Sequence, residues 1–118
     1  MTTSMREPTF WILTVLASAP HHGYGLIREA ARLSDDRVRL QAGTLYAALD
    51  RLGAEGLVEL DREEIVDGRA RRYYRLTDRG AAALDAEAAR LRANAEAARV
   101  QLAARKGFGP ATATMASA

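Results

Sequence analysis

Three groups of side chains in this 118-residue sequence have types and spacings that bear on chemistry. The first is the pair His21 and His22, the only histidines in the chain. Adjacent imidazoles raise the question of a metal. No carboxylate or third ligand stands at helical spacing from them, however, and "PHHG" reads as a loop between helices, so no metal site is expected. Cysteine is absent, which excludes disulfides, thiolate metal sites and cysteine nucleophiles together. Ser18 and Ser34 lack a neighbouring base that would activate a hydroxyl, so the chain is not expected to be an enzyme and no cofactor is implied.

The second group is "GRARRYYRLTDR", where Gly68 to Arg79 hold five arginines against one acid, Asp78. Arg69, Arg71 and Arg72 sit at its start, next to a turn pair, Asp67 and Gly68. Guanidinium groups at a thin hairpin tip suit a polyanion, because each phosphate they neutralise releases counterions. Net charge over the whole chain is only +2, so the signal lies in the clustering.

The third group lies in "LQAGTLYAALDRL". On a helix beginning near Ala42, Leu45, Leu49 and Leu52 form one apolar stripe bordered by Ala48. Gly43, Thr44, Tyr46, Ala47, Asp50 and Arg51 face away from it. A merely solvated face would carry Glu and Lys. Small residues instead let a helix approach base edges, while Thr44, Tyr46 and Arg51 supply hydrogen bonds to phosphates or bases. Asp50 would be repelled by phosphates and is not counted as a contact.

Positioning these groups requires a short list of elements. Pro8 suits a helix start and precedes "TFWILTVLASA", whose Phe10, Trp11, Ile12, Leu13, Val15 and Leu16 nearly encircle a first helix. A second helix follows Gly23, with Tyr24, Ile27 and Ala31 on one face. The third runs from Ala42 to Glu55 and stops at Gly56, a glycine C-cap. Beyond it the period falls to two: Val58 and Leu60 alternate with Glu59 and Asp61, and after Asp67-Gly68 come Arg72, Tyr74 and Leu76 on one parity. This predicts a two-stranded hairpin with a basic return strand. Thr77 then caps a long fourth helix, with Asp78 in its first turn and an end near Arg105. Along it Leu84, Ala88, Leu91, Ala95, Ala98 and Leu102 recur as a heptad seam, which calls for a second copy of the chain as partner.

The predicted fold class is therefore mainly α with a small β-hairpin: a winged helix-turn-helix over residues 8–76 and a C-terminal dimerisation helix over 77–106. Residues 1–7 and 107–118 lack periodicity and are expected to be flexible tails. A chain of this length supports one modest core. No apolar run reaches the ~20 residues that a membrane-spanning helix needs, and "MTTSMREPTF" lacks the order of a signal peptide, so the expected location is the cytoplasm. Trp11, the only tryptophan, is assigned first to core packing. The other reading places it in a crevice against the partner's long helix, where a flat aromatic ligand would stack. For the domain itself, the reading set against DNA binding is a winged-helix module that holds another protein; the basic wing favours nucleic acid.

The stretches "HGYGLI" from His22, "GTLYAALDRLGAEGLVE" from Gly43 and "GRARRYYRLTDRG" from Gly68 resemble the phenolic-acid-decarboxylase regulator (PadR) family of bacterial transcription regulators. The resemblance covers roughly Phe10 to Gly80. It implies a winged-helix homodimer on a palindromic operator, usually a repressor and often released by a small molecule. Thr44 and Tyr46 match family recognition-helix residues that approach DNA, Gly68 and Arg69 match the wing tip, and Gln41 occupies the polar position before the helix. The short fourth-helix region is similar to the compact branch of the family. It is poorer in bulky residues than that branch leads one to expect, and it has no tryptophan.

Overall fold

The break at Gly56 organises the middle of the chain. This glycine has φ +78°, a left-handed conformation that ends α3 (Ala42–Ala54) and sends the backbone into β2 (Val58–Val66). The computed structural model describes residues 5–105 and 107, so the expected tails 1–7 and 107–118 fall mostly outside the described residues. The remaining elements are α1 (Glu7–Ser18), β1 (His21–His22), α2 (Gly23–Leu33), β3 (Arg69–Leu76) and α4 (Asp78–Ala104).

The apolar stripe expected on α3 is its inner face: Leu45, Ala48, Leu49 and Leu52 are buried. They meet Ile12, Leu13, Val15 and Leu16 of α1 and Leu26 and Ala30 of α2 in one cluster, closed below by Val58. In α1, Phe10 and Trp11 remain only half-buried, so its apolar girdle is not wholly enclosed. The face of α2 shared by Tyr24, Ile27 and Ala31 borders the core, with Ile27 packed against it. Tyr24 is exposed and Ile27 and Ala31 are half-buried, whereas Gly23, Gly25, Leu26 and Ala30 are buried.

"PHHG" is not a plain loop. His21 and His22 form a two-residue strand that pairs with Tyr74 and Tyr73 of β3, so the expected hairpin is a three-stranded antiparallel sheet in the order β1-β3-β2. Sequence periodicity cannot register a strand of two residues, because such a strand exists only through its partner. The tip follows the predicted chemistry. Asp67 and Gly68, at φ 52° and 77°, make a two-residue turn between the paired Val66 and Arg69. A register shift between Leu60 and Arg62 bulges β2 at Asp61.

Thr77 caps α4, its Oγ1 accepting from Gly80 N at 3.0 Å while donating to Gly56 O at 2.6 Å. Two compact units divide the chain, the first ending at Glu87 and the second beginning at Ala88. Leu84 packs on the core of the first. In the second, Leu91 and Leu102 are each 40% exposed, and Ala88, Ala95 and Ala98 are exposed as well. No helix among the described residues is long and apolar enough to cross a membrane.

Candidate nucleic-acid interface

The outer face of α3 is open to solvent along its length, with Gly43, Thr44, Tyr46, Ala47 and Asp50 all exposed. A Cβ added at Gly43 would meet nothing within 4 Å, so nothing inside the chain requires glycine there. Gln41 stands at the N-cap of α3 without using its side chain as a cap, which leaves the amide available. Arg51 is different. It donates to Thr9 Oγ1 of α1 at 2.9 Å and lies 3.7 Å from Glu55, so its guanidinium ties α3 to α1.

On the wing, the cluster of arginines is thinner than its sequence. Cross-strand pairing sets Glu63 opposite Arg72 and Glu59 opposite Arg75, and these become ion pairs of 3.0 and 2.9 Å. Arg75 also reaches Asp61 at 3.3 Å. Arg62 pairs with Asp61 and Glu64 and lies 3.9 Å from the centre of the Tyr73 ring. Each such exposed pair contributes little to stability, but the carboxylate offsets the charge its arginine would offer a passing polyanion. Arg69 and Arg71 have no ion-pair partner among the described residues. Gly68 keeps its place through its left-handed backbone, since a Cβ there would meet nothing.

These two free arginines line a cavity of about 580 Å³ together with Tyr46 of α3 and His22, Gly23 and Tyr24 at the head of α2. Helix, wing and α2 thus converge on one open groove. Its α2 side was not singled out from the sequence, although "HGYG" supplies all of it.

Both histidines are engaged locally. His21 Nδ1 lies 2.8 Å from Ala19 O, and His22 Nδ1 accepts from Gly25 N at 3.2 Å, which makes His22 the N-cap of α2. Burial, the nearby guanidinium groups of Arg71 and Arg28 and the adjacent His21 hold the His22 imidazole below its ordinary pKa, against a smaller opposite pull from Glu64. Among the described residues no group of three or more His, Cys, Asp or Glu is placed to hold a metal. Trp11 packs against the core, donates to Glu7 Oε2 at 3.3 Å and stands edge-on to Phe10. Core packing, the first of its two readings, describes that environment.

The family model described as "Transcriptional regulator PadR-like family" matches residues 12–86, the span that holds every element of this groove. The chain belongs to the PadR-like family of transcriptional regulators. That family comprises regulators rather than enzymes. A transcriptional regulator of Mycobacterium tuberculosis is 49% identical over 63 residues, which are 53% of this chain and 55% of that relative's length. Among solved structures, a PadR-like transcription factor from Bacteroides fragilis has 28% identity and a TM-score of 0.63, covering 78% of this chain and 87% of that one. Bacillus subtilis PadR, solved in complex with operator DNA, has 23% identity and a TM-score of 0.61, covering 68% of this chain and 46% of that one; at this identity the likeness is one of fold.

Proposed function

We propose that this PadR-like protein regulates transcription by binding double-stranded DNA with the outer face of α3 and the tip of the wing. The observation that carries the reading is the groove in which Tyr46 of α3 meets Arg69 and Arg71, two arginines outside the ion pairs of the wing. Small residues at Gly43 and Ala47 leave room for base edges, Gln41 and Thr44 supply polar contacts, and Arg69 and Arg71 lie against phosphates. Arg72 and Arg51, already held by Glu63 and by Thr9, contribute less. The structure of Bacillus subtilis PadR with operator DNA supports the same use of a shared fold.

Residues 8–76 form the DNA-binding domain in this reading and 77–106 the dimerisation helix. Two copies joined along Leu84, Ala88, Leu91, Ala95, Ala98 and Leu102 bind a palindromic operator in the cytoplasm as a repressor. A small aromatic ligand in a crevice beside Trp11 releases them.

DNA titrations across salt concentrations test the wing. Arg69→Ala and Arg71→Ala should each weaken binding to a selected operator and to random duplex alike, and lower the salt slope by about one unit per lost phosphate contact. Arg72→Ala should change the slope less. An unaltered slope in both of the first two variants removes the wing from the DNA, and no binding by the wild type to any duplex favours a protein partner instead.

A further inference from the structure

Gly23 begins α2 with an ordinary backbone conformation that any residue adopts, yet a side chain there would displace one from another helix. A Cβ built there would overlap Tyr46 Oη and come within 2.8 Å of Tyr46 Cζ. The glycine therefore makes room for a side chain 23 positions away, on the other helix of the helix-turn-helix. Tyr46 rests its phenol across the start of α2 and remains 48% exposed on its other side. Tyr46 and Gly23 both line the cavity that Arg69 and Arg71 also line.

We propose that Gly23 is a positioning residue for DNA binding: lacking a side chain, it lets Tyr46 lie back on α2 and hold its phenol O–H in the wing groove as a donor to a backbone phosphate. The inference rests on the DNA-binding reading above and deepens it by assigning Tyr46 to the phosphates. A phenol folded back onto α2 does not extend outward from α3 toward base edges, and the unpaired guanidiniums beside it attract an anion. Tyr46 accordingly contributes register and affinity, and sequence discrimination falls to Gln41, Gly43, Thr44 and Ala47.

The arrangement gives an unusual mutational signature. An alanine at Gly23 does not disturb the core, because the atom it strikes is the far end of a half-exposed side chain that can swing into solvent. It removes the phenol from the groove all the same. Gly23→Ala, Tyr46→Ala and the double variant are compared for binding to a random-sequence duplex at low salt, with thermal unfolding of each and the nuclear Overhauser contact between the Gly23 α-protons and the Tyr46 ring in the free wild type. Each single variant should lose roughly tenfold in affinity, about the worth of one hydrogen bond to a charged group, with its unfolding temperature retained. The double variant should lose no more than either single one, since both remove the same contact. Additive losses, an unchanged affinity in Gly23→Ala, or a loss confined to selected operators would overturn the assignment. A wild type that shows the Overhauser contact but binds no duplex overturns the DNA-binding reading and this role with it, while leaving the packing of Tyr46 on Gly23 intact.

Discussion

His22 does two jobs at once. Its Nδ1 caps α2 by accepting from Gly25 N, and its ring stands edge-on to Tyr73, 5.3 Å between centroids, where Arg62 covers the other part of that tyrosine. Only the imidazole with Nδ1 unprotonated can accept, so the cap requires the neutral ring. Burial, Arg71, Arg28 and His21 all favour that form, and His22 titrates below the ordinary value of 6.5 in the folded chain. The unfolded chain therefore takes up the proton first as pH falls. The stability His22 contributes is complete above pH 6.5 and is lost on acidification through the folded-state pKa. Asparagine keeps a cap acceptor without titrating. In thermal melts, the gap between wild type and His22→Asn should shift in favour of the variant below pH 6.5 and stay level above it. A gap independent of pH would mean that His22 does not cap as neutral imidazole.

At the scale of elements, the start of α4 is held against the end of α3 by two adjacent devices. Thr77 bonds both ways, to Gly80 N and to Gly56 O, and its own amide donates to Leu57 O at 3.1 Å. Gly80 approaches the same strand entry so closely that a Cβ would overlap Leu57 O and lie 2.7 Å from Leu76 Cδ1. Unlike Tyr46 at Gly23, the obstacle here is backbone and cannot swing away. Thr77→Ala should cost about 1 kcal/mol through the lost cap. Gly80→Ala should cost about 1–3 kcal/mol from overpacking, although alanine is the better helix former by roughly 1 kcal/mol. Urea unfolding of the two variants checks this, and a Gly80→Ala protein as stable as wild type would show that α4 is not seated there.

For the whole molecule, the proposed dimer turns on residues that a single chain leaves bare. Leu84 is already spent on its own core, so Leu91 and Leu102 must supply most of the apolar area between copies. Their alanine neighbours allow close approach but bury little. Two recognition helices reach successive major-groove faces, about 34 Å apart, only when the copies are held in register. A glutamate at the middle of a symmetric seam would place two unpaired carboxylates together away from water. Leu91→Glu should therefore sediment as a monomer at micromolar concentration and bind DNA without specificity, while Arg92→Glu remains dimeric. A Leu91→Glu protein that still sediments as a dimer rules the seam out as the interface.

Local signals in the sequence determined the helix of Leu45, Leu49 and Leu52, the tight turn at Asp67-Gly68, the glycine stop at Gly56 and the Thr77 cap, because each of these is a contest among neighbours within a few residues. Periodicity also sorted the faces of α3 correctly, which is why its outer face was legible as a binding surface. On α2 it grouped Tyr24, Ile27 and Ala31 on one face, but it did not single out Gly23, Gly25, Leu26 and Ala30 as the residues that enter the core. What tertiary structure decided was who stands opposite whom. Register placed Glu63 and Glu59 against Arg72 and Arg75, while Glu64, opposite Arg71, pairs with Arg62 instead, so Arg69 and Arg71 stay outside the ion pairs of the wing. Folding brought Thr9 to Arg51, buried Glu87 to 2% exposure, and made a strand of His21 and His22. It also gave Gly23 its reason to be glycine, in a tyrosine on another helix. The wing pairs follow from the hairpin register, but the contacts of Thr9 with Arg51, His21 and His22 with Tyr74 and Tyr73, and Gly23 with Tyr46 depend on closing longer loops of chain that periodicity does not report.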